Sequence, residues 1–244
     1  MKNKKRSSVS LLDRWESDDD YAPAMFSAKK KKETALNRAI MFLQGGKGSG
    51  NFGHAGRPGK VGGSAKGGSG SEDEGWYIKK IVAEKVEHLA FFTKDGYIIS
   101  RSSGNEEAVT VKSEHIPDIR KEATLSVHNH PGGWSSFSGN DHKANHNLGI
   151  EKMIAVGVYK GQPIKYTFEV GEDYLSLSTS TVEQFYRSAR IVAKQSGKKL
   201  LDAGMDIEEV NYRTTHKINE IYVQMIEQKT GRKVKYTREA FDYD

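Results

Sequence analysis

The period of the apolar positions changes several times along the chain, and each change predicts an element. No period is visible from residue 1 to about 28. Within residues 33–44, Leu36, Ala39, Ile40 and Leu43 fall at helical spacing, and Gly45-Gly46 stops that helix. One short amphipathic helix is marginal alone, so it should dock on another surface. Residues 45–71 hold about half of the chain's 25 glycines. Glycine-rich chain cannot repay its ordering entropy by packing, so a flexible linker is expected there. Its G-x-G pieces lack the preceding strand and following helix of a phosphate loop.

From Trp76 onward the pattern is that of a packed domain. Ile78, Ile81, Val82 and Val86 predict a short helix that delivers the chain to Glu87. Apolar runs at 89–92 and 97–99 read as a hairpin around Asp95-Gly96. Residues 108–111 predict another short strand, 115–121 a helix, and 125–127 the strand that leads to His128. Asp141 is expected to open a helix reaching about Asn147, where a carboxylate suits the positive end of the helix dipole. Residues 153–159 and 164–170 read as a second hairpin across Lys160-Gly161-Gln162-Pro163, and 174–177 as a last strand.

After Ser180 helical spacing returns. Val182, Phe185, Tyr186, Ala189, Val192 and Ala193 form one stripe. Ile207, Val210, Ile218, Ile221, Tyr222, Met225 and Ile226 form a second, behind Gly204 and the N-cap candidate Asp206. Their aromatic and Met positions read as core, not as a cofactor box. The expected class is therefore α+β, a mixed β-sheet flanked by helices. Residues 1–72 are expected to be a largely disordered, basic and Gly-rich region, 73–179 the domain, and 180–244 a helical extension. That extension either covers the domain or offers an assembly surface.

Composition adjusts this picture in three ways. The 244 residues suffice for one or two domains, but 36% hydrophobic content and a mean hydropathy of −0.69 leave part of the chain unfolded. No run approaches the ~18 apolar residues of a membrane span, and the basic start lacks a signal-like apolar stretch, so a soluble chain with no membrane role is expected. With no cysteine, disulfides and thiolate sites are excluded, and His and carboxylates are the strong metal ligands left. The net charge of +6 is concentrated in Lys2, Lys4, Lys5, Arg6 and Lys29 to Lys32. A solvated tail is favoured over nucleic-acid contact there, because no aromatic or fold-level nucleic-acid motif accompanies the clusters.

The candidate chemistry lies in residues 126–141. His128 and His130, two apart behind a β-branched residue, project from one face of a strand. Pro131 ends the donor pattern, and Gly132-Gly133 permit a sharp turn. Ser138 and Asp141 follow a short loop. Two imidazoles and a carboxylate form a ligand set that suits Zn2+ and leaves its fourth position open for water, as in catalytic sites. His128, His130 and Asp141 are the expected metal ligands. A polar loop with two surface histidines is the bland alternative, and Ser138 and Asp141 at this spacing count against it. His142 and His146, four apart on the next helix, offer a second pair, but an exposed polar face beside Lys143 and Asn145 is expected. His54, His115 and His216 lack ligand context. Trp134 either contacts substrate or packs on the sheet.

H-x-H-P followed by S-x-x-D resembles the signature of JAMM (JAB/MPN-type) metallopeptidases, with His128, His130, Pro131, Ser138 and Asp141 at the matching positions. That family also has an upstream glutamate at the start of an apolar strand, and V-E-H-L-A-F-F at 86–92 looks like it. The E-H-hydrophobic wording is similar to the RadC-like branch. H-N-H-P-G-G with S-F-S-x-x-D is closer to JAMM-like domains of bacteriophage head proteins. Residues 45–64 are similar to a segment of phage portal and head-morphogenesis proteins. The resemblance spans roughly residues 76–178.

It implies a JAMM/cytidine-deaminase-like fold and a zinc-dependent peptidase or isopeptidase, associated with a phage head and found in the virion or host cytoplasm. In that setting Glu87 is the general base, and Ser138 donates a hydrogen bond to the developing oxyanion. Glu84 competes for the base role, but its place in the helical stretch argues for a solvated residue. The implied substrate is a protein, either a phage structural protein or a ubiquitin-like conjugate, and other phage head proteins are implied partners. The alternatives are a non-catalytic virion structural or assembly protein with a JAMM-like partner-binding domain, or a RadC-like protein.

Overall fold

A computed structural model describes residues 73–106, 108–131 and 136–242. The expected helix at 33–44, the Gly-rich stretch, both basic clusters, His54 and Trp134 lie outside the described residues. Asp73 opens helix α1 (Glu74–Ile81) as its N-cap, accepting from the Trp76 N–H at 2.9 Å. The helix is shorter than the sequence pattern suggests. It buries Tyr77, Ile78 and Ile81, and an irregular stretch then carries the chain to Glu87.

Strands β1 (His88–Thr93) and β2 (Ile98–Ser103) form the first hairpin, turning at Gly96 with φ 84°. A 3-10 turn and helix α2 (Ile116–Glu122) lead to β3 (Ala123–Asn129). Helix α3 (Gly139–Leu148) crosses over to β4 (Lys152–Tyr159), which is parallel to β3, as such a crossover permits. Lys160 and Gly161, both at positive φ, form the tight turn into β5 (Gln162–Glu169). Then come α4 (Glu172–Leu175), α5 (Thr179–Asp202), α6 (Ile207–Thr230) and β6 (Lys235–Ala240). The six strands form one mixed sheet in the order β2-β1-β3-β4-β5-β6, with β3–β4 its parallel pair.

Period-two alternation sends each strand's residues to opposite layers. One face presents Ala90, Phe92, Leu125, Val127, Ile154 and Val156 to Tyr77, Ile78, Ile81 and Val82 of α1 and its end. The other presents Met153, Ala155, Tyr166 and Phe168 to α5 and α6, through Val182, Ala189, Tyr222 and Ile226. Burying one such side chain contributes ~1.5–3 kcal/mol, so the long helices are held by this face rather than by their own propensity. No helix among the described residues is long and apolar enough to cross a membrane.

Four expectations are corrected. Residues 108–111 form no strand: Val109 and Val111 are buried, but no neighbouring strand pairs with them. Tyr174 to Leu177 are not a strand. Helix α4 forms there with acidic residues in its first turn, and the Tyr174 hydroxyl meets that of Tyr222 at 2.9 Å. Asp141 is the third residue of α3 rather than its opener, the N-cap being Ser138. The segment expected to be wholly helical ends in β6, which pairs antiparallel with β5 from Ile164↔Ala240 to Glu169↔Lys235.

Candidate metal centre

The C-terminal end of β3 carries the histidine pair, and hydrogen bonding to β4 continues through the His130 N–H, which donates to Val156 O at 2.8 Å. His128 is buried at 4% exposure, and the two Nε2 atoms lie 3.1 Å apart. Asp141 reaches them because of how α3 starts. Its backbone N–H donates to Ser138 Oγ at 3.2 Å, and its Oδ2 accepts from the Ser138 N–H at 2.6 Å, a reciprocal capping box. The same Oδ2 stands 3.7 Å from His128 Nε2 and 3.8 Å from His130 Nε2. One carboxylate oxygen thus caps the helix and faces both imidazoles.

Glu87 approaches from the residue before β1. It is buried, and one of its carboxylate oxygens lies within 4.8 Å of a ring nitrogen on both histidines. Glu84, by contrast, is exposed. Burial pushes the Glu87 carboxyl up to about 7, with Asp141 adding to the shift and His128 opposing it. Burial would lower the His128 pKa, but Asp141 and Glu87 prevail and raise it. Burial would raise that of Asp141, yet His128, His130 and the Ser138 N–H hold it well below the usual carboxylate range.

Tetrahedral bonds of ~2.0–2.1 Å to an ion such as zinc place ligand atoms ~3.3 Å apart. The two Nε2 atoms lie 3.1 Å apart, with Asp141 Oδ2 3.7 and 3.8 Å from them, so these three residues could hold such an ion. Glu87 with the two histidines is a second three-residue set able to hold an ion. Two histidines are common to both sets, and the carboxylates approach them from different elements.

The centre opens into a cleft of about 460 Å³ between the sheet and α3. Leu89, Phe91, Val109, Val111 and Leu148 give it apolar walls, and the Ser126–Asn145 hydrogen bond of 2.9 Å lies at its side. The 108–111 segment therefore serves as a wall rather than as a strand. Ser138 is exposed at the cleft; its oxygen accepts from Asp141 while its O–H remains available to donate.

The second histidine pair does not lie on the exposed polar face expected from the sequence: His142 is buried and His146 half-buried. His142 is fully buried, 2.6 Å from Asn219 Oδ1, with its ring centre 4.3 Å from Tyr222 and 4.7 Å from Phe168. His146 lies edge-on to Tyr174 at 5.4 Å. His115 bonds Ser100 Oγ at 2.7 Å.

Several polar residues at the site were missed by the sequence pattern. Ser136, on the cleft wall, bonds Tyr236 Oη at 2.8 Å; that oxygen bonds His216 Nδ1 at 2.8 Å, and His216 Nε2 faces Glu220 at 3.2 Å. Asn219 donates to Phe137 O at 3.0 Å and so ties the chain just before Ser138 to α6. Asn129, between the two histidines, is fully buried. No short-range signal marks the partners of Ser136 and Phe137, since they lie on β6 and α6. No family model, curated relative or solved structure matches this chain.

Proposed function

We propose that the protein is a zinc-dependent peptidase or isopeptidase. The observation that carries this reading is the convergence of His128 and His130 from the end of β3, Asp141 from the start of α3 and Glu87 from just before β1 on the lining of one apolar-walled cleft. The metal would be held by His128, His130 and Asp141. When bound it supplies a water whose pKa falls towards ~7. Glu87, the carboxylate that approaches the histidine pair from beside β1, takes a proton from the attacking water and returns it to the leaving amine. Ser138 donates its O–H to the carbonyl oxygen as that atom gains charge. The apolar walls seat the substrate chain and keep bulk water away from the proton transfer.

A phage head or virion setting, with a phage structural protein or a ubiquitin-like conjugate as substrate, is supported by the sequence wording at 45–64 and 128–141. The experiment is hydrolysis of a peptide and isopeptide library by the zinc-loaded full chain, followed by mass spectrometry. Wild type should cleave. Glu87→Gln should retain zinc and lose ~10²–10⁴ in rate. Asp141→Asn should lose zinc. Zinc retained by Asp141→Asn and lost by Glu87→Gln would exchange the two carboxylates' roles. Zinc bound by wild type without any cleavage would replace the enzyme with a metal-stabilised assembly domain.

A further inference from the structure

Asn129 lies between the two histidines, and strand alternation sends its side chain to the opposite face of the sheet. There it is 0% exposed. The β1–β3 ladder reaches its last pair at Leu89↔His128. Beyond that pair the Asn129 carboxamide takes the place of a peptide unit. Its Oδ1 accepts from the His88 N–H at 2.6 Å, and its Nδ2 donates to Val86 O at 3.0 Å and to Glu84 O at 3.4 Å. Val86 and His88 are the two chain neighbours of Glu87.

The other side of Glu87 is held by backbone. Its N–H donates to Asn105 O at 2.7 Å, and its C=O accepts from the Gly104 N–H at 2.8 Å. The loop that supplies this grip folds tightly on itself, since a Cβ on Gly104 would lie 1.8 Å from Ala108 O. The peptide groups around Glu87 are therefore gripped from both edges, although the residue lies outside any regular strand. One grip comes from the same residue that separates His128 from His130.

We propose that Asn129 is a positioning residue which fixes the carboxylate of Glu87 relative to the His128–His130 pair. This rests on the hydrolase reading given above. The carboxamide suits the task because one planar group offers a donor and an acceptor, whereas an ionised Asp offers acceptors alone and Ser is too short to span both partners. The orientation of the amide follows from its surroundings: an N–H faces one end and carbonyls face the other. Asn129 belongs neither to the cleft lining nor to the residues able to hold an ion, so its effect passes through Glu87.

The test is a double-mutant cycle on the zinc-loaded full chain, read beside hydrogen exchange. Asn129→Ala should lower kcat ~10²-fold, the cost of a misplaced catalytic group. It should change kcat by less than twofold when Glu87 is already Gln. Zinc affinity should stay within threefold. Exchange at the His88 amide should rise at least 100-fold, while the amides of Leu125 to Val127 keep their protection. If Asn129→Ala does not fold, Asn129→Asp carries the cycle, since it keeps the acceptor for His88 and loses the donor to Val86. Equal losses of kcat in both Glu87 backgrounds, with either variant, or an unchanged His88 exchange rate in Asn129→Ala, would overturn the positioning role and leave the hydrolase reading standing. A wild type that binds zinc and cleaves nothing would overturn the hydrolase reading and this inference with it, even though the exchange result would still report the clamp.

Discussion

Two histidine pairs lie within 20 residues of each other, one at the end of β3 and one on α3, and their surroundings treat them in opposite ways. His128 and His130 bring their Nε2 atoms 3.1 Å apart at the wall of a cleft, with two carboxylates in attendance. His142 and His146 turn into an aromatic core made of Phe168, Tyr174 and Tyr222. The charge environment follows the geometry. Asp141 and Glu87 raise the His128 pKa against the cost of burial. His142 has a neutral amide beside it, so burial dominates and its pKa falls to about 4. Spacing alone, two on a strand or four on a helix, offers a metal pair in either case. The carboxylate partners and the cleft separate a candidate site from a packing residue.

Four substitutions separate the roles of these residues. Glu87→Gln has the largest expected effect, the ~10²–10⁴ loss of rate at constant zinc content that a lost general base entails. His142→Ala comes next. It removes a buried ring and leaves Asn219 Oδ1 without its donor, at a cost of ~3 kcal/mol in a denaturant titration, with zinc content unchanged. If His142→Ala released zinc while the fold persisted, the two pairs would not be separate. Tyr236→Phe should cost ~1 kcal/mol by removing the bonds to Ser136 and His216, measured in the same titration. Glu84→Gln should change both rate and stability least, because this side chain is exposed. A loss of rate there comparable to that of Glu87→Gln would move the base to residue 84.

Much of this arrangement is legible in the chain. The apolar runs through residues 89–92, 125–127 and 153–159 mark sheet strands, because both faces of the sheet are covered and successive residues enter opposite buried layers. The turns at Gly96 and Gly161 are legible because positive φ selects glycine. The stripes of α5 and α6 are legible because a 24-residue helix repeats its signal many times. Strand β6 was not, since Lys235–Ala240 offers few apolar residues and its pairing is decided by β5. Nor was α4: Tyr174-Leu175-Ser176-Leu177 alternates like a strand, while Gly171 and the acidic first turn favour a helix.

At the site, His128 and His130 were legible from period two, and Asp141 from its spacing to Ser138. The burial of His142 was not, because its hydrogen-bond partner Asn219 lies 77 residues away. The role of Asn129 is hidden for a similar reason: its partners Val86 and His88 are 43 and 41 residues distant. In both cases a polar side chain that looks solvated in sequence is enclosed by chain from elsewhere.

In the proposed function one zinc is held by the end of β3 and the start of α3. The zinc content, by elemental analysis, of purified full-length wild type, His128→Ala, Asp141→Ala and His142→Ala, each shown to be folded by circular dichroism, tests this. One zinc per chain in wild type and His142→Ala, with none in His128→Ala or Asp141→Ala, is the expected result. A wild type without zinc, or a His128→Ala variant that keeps it, would contradict the account.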